Sequence, residues 1–219
     1  MRSIVVLAGA SGAGKTSVAM ELLSKSDEYR LIRSATTRAP RGDGHDGEYL
    51  YYTEEEFKAL VSRDKLLEYM NYGGNFYGTP YSEIEAAFDE GKTPLLILDL
   101  EGVKSLRAKS FDFSVFIFYI YEDLNVIEKR LYERELLKNP SAEALESFLK
   151  RKAANIRDYL SLPEISDKFD AFIKNLEIVA SADKLLALHA DFLSGKAKNQ
   201  EENKKIAEEL MLSAKQKKS

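Results

Sequence analysis

The sequence has no cysteine and only two histidines among its 219 residues. Without cysteine there can be no disulfide, no thiol nucleophile and no thiolate metal site, and two histidines leave little for an imidazole-based zinc site. Any metal must therefore be held by oxygen. No apolar run approaches the roughly 18 residues of a membrane-spanning helix. Met1-Arg2-Ser3 leads straight into the strand-like Ile4-Val5-Val6-Leu7, without the longer apolar stretch and cleavage site of a secretory signal. The expected setting is the cytoplasm, with no membrane partner. A surplus of positive charge is missing too. With 32 basic and 36 acidic residues the net charge is -4, which argues against a nucleic-acid-coating surface because counterion displacement needs a basic footprint. The sequence contains no internal repeat and no signal for oligomeric state.

What is present is a composition of 44% hydrophobic and 31% charged residues, enough for one globular domain with inserted subdomains. Ile4 to Ala8 reads as a buried strand, and Lys15 to Ser24 as a helix with Val18, Leu22 and Leu23 on one face. Pro94 to Leu98, ending in Asp99, Phe113 to Tyr121, and Ala171 to Lys174 read as further strands. Helical patterns over Tyr81 to Glu90, Leu124 to Leu137, Ala142 to Leu160 and Ala182 to Leu193 separate them. Such alternation implies an α/β fold with a central parallel sheet. Residues 34–90 break the pattern with a loop at Asp43 to Gly47, a short strand at Tyr49 to Thr53, a helix at Glu54 to Arg63, and turn signals at Gly73, Gly74 and Gly78. The expected organisation is a core of residues 1–33 and 91–195, an inserted subdomain at 34–90, and a helical lid at about 126–157 with its tip or hinge near Asn139-Pro140. Residues 196–219, rich in Lys, Glu and Gln, read as a marginal helix or a disordered tail.

Between the first strand and the first helix stands Gly9-Ala10-Ser11-Gly12-Ala13-Gly14-Lys15-Thr16. Its glycines let the backbone curl with N–H groups turned inward around a phosphate, at a helix start whose dipole adds positive potential. Lys15 brings a mobile ammonium to the transferred phosphate, and the Thr16 hydroxyl suits a Mg²⁺ ion that otherwise binds phosphate oxygens and water. The pattern predicts a nucleoside triphosphate site. The loop by itself leaves kinase, GTPase and motor ATPase open. A second feature narrows the choice: Arg38 and Arg41 lie three residues apart on an extended, Pro-stiffened segment, where their planar forks can clamp one phosphate.

Taken in order, the phosphate loop, Thr36-Thr37-Arg38-Ala39-Pro40-Arg41, Glu55-Glu56-Phe57, Leu67-Glu68, Gly74-Asn75-Phe76-Tyr77-Gly78-Thr79 and Leu98-Asp99-Leu100-Glu101-Gly102 make a specific set. The chain resembles the guanylate kinase family from Ile4 to about Leu193. The resemblance implies a three-layer P-loop core, an inserted GMP-binding subdomain and a helical lid that closes over ATP. It also implies transfer of the γ-phosphoryl group of MgATP to GMP. Carried over residue by residue, Arg38, Arg41, Tyr49 and Tyr77 would hold the GMP phosphate, and Ser34, Glu68, Thr79 and Asp99 would line the guanine. Guanine presents N1–H and an exocyclic amine on one edge, and a carboxylate such as Glu68 accepts from both where adenine has no such pair. In the lid, Arg130 and Arg134, four apart on one helix face, and Arg151 would converge on the transferred phosphoryl group together with Lys15 and Arg38. Asn175 matches a family asparagine near the adenine and is equally suited to forming a turn.

The sequence departs from the family pattern in places. The loop after Arg41 is one residue short, so counting back from Phe57 selects Tyr49 and counting forward from Arg41 selects Leu50. A loop absorbs a deletion more readily than a strand, which favours Tyr49, with Tyr51 on the same face as the alternate. Ile97 stands where the family commonly has an acid, and Glu101, where it often has glutamine, is placed to compensate. Glu135 replaces a glycine after the lid arginine. Two other readings stay open on these residues: a related kinase for a different phosphorylated acceptor, and a non-catalytic binding module of the same fold.

Overall fold

The structure, a computed structural model, describes residues 2–40, 47, 49–72, 74–137 and 140–218. In chain order the elements are β1 (Ser3–Ala8), α1 (Lys15–Lys25), β2 (Tyr29–Leu31), β3 (Ser34–Thr36), β4 (Tyr49–Tyr51), α2 (Glu54–Ser62), β5 (Leu66–Tyr72), β6 (Asn75–Pro80), α3 (Tyr81–Asp89), β7 (Thr93–Ile97) and α4 (Leu100–Arg107). They continue with β8 (Ser114–Tyr121), α5 (Leu124–Tyr132), a π-helical turn (Glu133–Leu137), α6 (Ala142–Ile165), a 3₁₀ turn (Ser166–Lys168), β9 (Ala171–Lys174), α7 (Ile178–Leu193) and α8 (Gln200–Lys218). The central sheet has the order β2-β7-β1-β8-β9, and a smaller four-stranded sheet has the order β4-β3-β6-β5. The expected α/β architecture is the observed one. Among the described residues no helix is long and apolar enough to cross a membrane.

The chain forms two compact units, residues 1–6 with 23–115 and residues 7–22 with 116–219. In the first, β2 runs parallel to β7, and the small sheet combines a parallel pair, β3 with β4, and antiparallel pairs of β6 with β3 and with β5. Helix α2 starts at a reciprocal cap in which the Thr53 hydroxyl accepts from the Glu56 N–H and the Glu56 carboxylate accepts from the Thr53 N–H. It covers the small sheet through Phe57, which is fully buried with Ala35 and Leu66 and stacks on Phe76 at 5.5 Å. That seam ties together β3, β5 and β6, which carry Ser34, Glu68, Tyr77 and Thr79. β2, β3, β5, β6 and α4 are not among the elements expected from the sequence, where residues 66–81 show only glycine turn signals. Asp99 lies past the end of β7 and caps α4, accepting from the Gly102 N–H at 2.8 Å.

In the second unit β8 pairs in parallel with β9, and the fully buried Tyr119 packs edge-on against Phe169 with ring centroids 5.0 Å apart. Helix α6 runs past the expected end at Leu160 to Ile165, with Pro163 inside it, because Leu162 and Ile165 are buried and anchor the extra turn. The expected helix from Leu124 to Leu137 gives way to a π-helical turn at Glu133, so Arg134 and Arg130 are not one regular α-turn apart. The C-terminal segment, expected as a marginal helix or disordered tail, is a 19-residue helix. Its buried face is Asn203, Ala207, Leu210 and Ala214, a helical repeat built mostly from small and polar residues that a search for large apolar side chains passes over. Asn203 donates from Nδ2 to the Phe169 carbonyl at 3.0 Å, and Lys217 reaches Glu128 of α5 at 2.8 Å. Leu210→Ala is expected to lower the unfolding free energy by about 2 kcal/mol in urea denaturation, the loss of a buried leucine at a helix contact. A change below about 0.5 kcal/mol would show that α8 is not part of the cooperative fold.

Candidate active site

The Gly9 to Thr16 loop leaves fully buried β1 and opens α1 at Lys15. Lys15 Nζ donates to the carbonyls of Gly9 at 2.7 Å and Ala10 at 3.1 Å, so the ammonium is folded over its own loop. Gly14 has φ +94°, and a Cβ built there would stand 2.2 Å from Asn175 Nδ2 and 3.9 Å from an Arg130 guanidinium nitrogen. No side chain fits at that position, and both neighbours approach the loop backbone closely because of it. Asn175 is buried, donates from Nδ2 to the Ala13 carbonyl at 2.8 Å and accepts at Oδ1 from the Ser181 hydroxyl at 3.0 Å. It braces the loop's backbone. On the other side Asn155 of α6, which the sequence reading did not single out, holds both backbone groups of Ser11. No local signal marks it, since its partner lies 144 residues away.

The lid arginines are held by an acid. Glu135 accepts from Arg134 Nη2 at 2.7 Å and forms an ion pair with Arg151 Nε at 2.9 Å, while Arg151 Nη1 donates to the Ser11 hydroxyl at 3.1 Å. Burial raises the Glu135 pKa, but the adjoining Arg134, Arg151 and Ser147 outweigh it and leave the carboxyl below the ordinary glutamate value. The residue in the family's glycine position thus bridges two of the three expected lid cations. Arg130 lies instead beside Gly14.

The acceptor side is built on the small sheet. Registers of Ser34 with Tyr49 and of Thr36 with Tyr51 and Tyr77 put Tyr49, Tyr51 and Tyr77 near one another, and Tyr49 meets Tyr77 edge-on at 6.3 Å. The Arg38 guanidinium sits 5.0 Å from the Tyr49 ring centre, and its Nε is buried with no hydrogen-bond partner among the described residues. A buried orphan donor on a cation needs an acceptor, and a phosphate oxygen is a suitable one. Arg41 lies outside the described residues, as does most of the loop from Asp43 to Gly47. One register step beyond Ala35 opposite Gly78 puts Ser34 opposite Thr79. Thr79 donates to Glu68 Oε1 at 2.7 Å. A Cβ on Gly102 would stand 3.4 Å from both Glu68 Oε2 and Asp99 Oδ1, so these two acids border one small space.

Glu68 is 3% exposed, and its pKa is pushed up to about 7, chiefly by burial and further by Asp99, against the Thr79 hydrogen bond and Lys109. Lys109 itself donates to the Leu67 carbonyl at 2.7 Å. Ile97 ends β7 half-buried. The carboxylate of Glu101, expected to compensate for it, is exposed and pairs with Lys104 at 2.7 Å.

Thr16, in the first turn of α1, carries a hydroxyl oxygen, and an oxygen donor fits Mg²⁺, which keeps several waters and takes few protein ligands. Among the described residues no group of three or more His, Cys, Asp or Glu side chains is gathered for a metal.

A model of the guanylate kinase family matches residues 1–189. A guanylate kinase of Clostridium perfringens is 34% identical over 187 residues, covering 83% of this chain and 83% of its own. One of Desulfitobacterium hafniense is 32% identical over 186 residues, covering 84% of this chain and 88% of its own. Among solved structures, the crystal structure of guanylate kinase from Anaplasma phagocytophilum aligns with a TM-score of 0.62 at 26% identity, covering 87% of this chain and 86% of that one.

Proposed function

The chain belongs to the guanylate kinase family and is an ATP:GMP phosphotransferase, and from that premise we propose how its own residues divide the work. The γ-phosphoryl group of ATP passes to the GMP phosphate to give ADP and GDP. No covalent enzyme intermediate is needed, so the protein's task is to position the reactants and offset charge.

The Gly9 to Thr16 backbone cradles the ATP phosphates, with Lys15 swinging from the Gly9 and Ala10 carbonyls onto the transferred group. Thr16 would hold Mg²⁺, which when bound would offset the negative charge of the phosphate oxygens. Arg130 acts at the loop beside Gly14, and Arg134 and Arg151 exchange Glu135 for phosphate oxygens. Asn175 serves ATP through the Ala13 carbonyl. Arg38, with Tyr49, Tyr77 and Arg41, takes the GMP phosphate; Glu68, Thr79, Ser34 and Asp99 take the guanine. The core, the 34–90 acceptor subdomain and the lid near 126–157 are the corresponding parts of the chain.

The observation that carries the acceptor assignment is the buried Glu68 carboxyl hydrogen-bonded to Thr79, with its second oxygen beside Asp99 and Gly102. The test is ADP formation measured with GMP, dGMP, AMP and ribose phosphates side by side under MgATP. GMP is expected to exceed AMP in kcat/KM by roughly 1,000-fold or more, the scale of a site built to pair a substrate N–H. Comparable turnover of AMP or of a ribose phosphate would overturn the roles given to Glu68 and Thr79.

A further inference from the structure

The tip of the phosphate loop is held by an amide that belongs to none of the motifs above. Asn155 lies on α6, is 2% exposed, accepts at Oδ1 from the Ser11 N–H at 2.8 Å and donates from Nδ2 to the Ser11 carbonyl at 2.8 Å. One side chain thereby fixes the peptide planes on both sides of Ser11. An amide is suited to this, since it offers a donor and an acceptor side by side, whereas a carboxylate lacks the donor and an aliphatic chain lacks both.

The next residue, Gly12, has φ +89°, and a Cβ there would come within 3.2 Å of Leu131 and 3.3 Å of Ile127. Packed against α5, it has little room to readjust if the Ser11 peptide turns. Asn175 holds the Ala13 carbonyl from the far side. The direction of the loop's remaining N–H groups is therefore set between two asparagines, one on the helix of the lid and one after β9.

Arg151 is one turn before Asn155 on the same face of α6 and reaches the Ser11 hydroxyl at 3.1 Å. The Asn155 grip consequently also sets how far Arg151 extends over the loop. The helix is braced at this level, because Lys152 pairs with Glu128 of α5 at 2.5 Å and Glu128 pairs in turn with Lys217 of α8 at 2.8 Å.

We infer that Asn155 is a positioning residue for phosphoryl transfer: it holds the Ser11 peptide from α6, keeping the loop's N–H groups turned toward the ATP phosphates and Arg151 in register with them. The inference rests on the reading of Gly9 to Thr16 as the ATP phosphate loop and goes beyond it in making that loop's shape depend on α6.

The experiment uses the full chain with Asn155→Ala and Asn155→Asp. MgATP affinity is measured by calorimetry without acceptor, GMP affinity without ATP, and kcat and KM for both substrates. Both variants are expected to lose about tenfold in MgATP affinity and in kcat/KM for MgATP, the effect of leaving partly buried polar groups of the loop without their fixed partner, with GMP affinity changed by less than about twofold. Asn155→Asp preserves the side-chain volume and carries the test if the alanine variant does not fold. MgATP affinity and kcat/KM within about twofold of wild type in a folded variant would overturn the inference. So would an equal loss toward MgATP and GMP, the mark of general loosening. If the wild type binds MgATP yet does not phosphorylate GMP, the acceptor assignment fails, and the calorimetric comparison still decides the role of Asn155.

Discussion

Lys15→Ala is expected to lower kcat for GMP phosphorylation by roughly 1,000-fold while the protein stays folded, because one preorganised cation aimed at developing phosphoryl charge contributes on that scale. The ammonium donates to the Gly9 carbonyl at 2.7 Å and to the Ala10 carbonyl at 3.1 Å. Those are neutral acceptors. A phosphate oxygen carries charge and forms the stronger, shorter bond, so the arriving ATP draws Lys15 away from them. No other residue of the loop has a positive charge. Arg130 stands beside Gly14, but a planar guanidinium on another helix does not reproduce a point charge carried by the loop itself. The loop carbonyls that lose Lys15 belong to the buried Gly9 and Ala10, so the unfolding free energy should fall by about 1–3 kcal/mol. The measurements are ADP release with saturating GMP and chemical denaturation of the same sample. A variant that keeps more than about a tenth of wild-type kcat would remove Lys15 from the chemistry.

Glu68→Gln is expected to raise the KM for GMP by about 100-fold and leave the KM for MgATP within about twofold, which narrows the preference for GMP over AMP. The carboxylate accepts from both guanine donors, whereas a carboxamide turns one N–H toward them and leaves a buried donor facing a donor.

The same residue predicts two opposite pH dependences. Burial raises the Glu68 pKa from 4.5 to about 7, so the folded protein without nucleotide favours the neutral carboxyl. Its contribution to stability is complete below the unfolded value near 4.5 and is lost as pH rises through about 7. The nucleotide-free protein should therefore be less stable at pH 8 than at pH 5, by as much as about 3 kcal/mol from this group. GMP requires the charged form, so its affinity should be flat above about pH 7 and fall by up to about tenfold per unit below it. Glu68→Gln should abolish both slopes. Denaturation and GMP titrations across this range check them, and a GMP affinity that strengthens on acidification would exclude Glu68 as the guanine acceptor.

How much of this was legible beforehand depends on the distance over which each feature is encoded. The phosphate loop is contiguous and sits where a buried strand meets a helix, so its residue types and their local backbone needs define it without reference to the rest of the chain. The order of the acceptor motifs was likewise readable, and the choice of Tyr49 over Leu50 followed from strand periodicity. The structure adds what periodicity cannot supply: Tyr49 lies beside both Arg38 and Tyr77.

The sequence by itself determined the α/β class, the nucleotide loop and the family to which the loop and acceptor motifs point, since each is written in residues close together in the chain. Tertiary structure alone decided the remainder. It brought Asn155 to Ser11 across 144 positions, put Glu135 between Arg134 and Arg151, and docked α8 through Asn203, Ala207, Leu210 and Ala214. It also gave Glu68 its raised pKa, because desolvation depends on everything packed around a carboxyl and on nothing visible in its immediate neighbours in the chain.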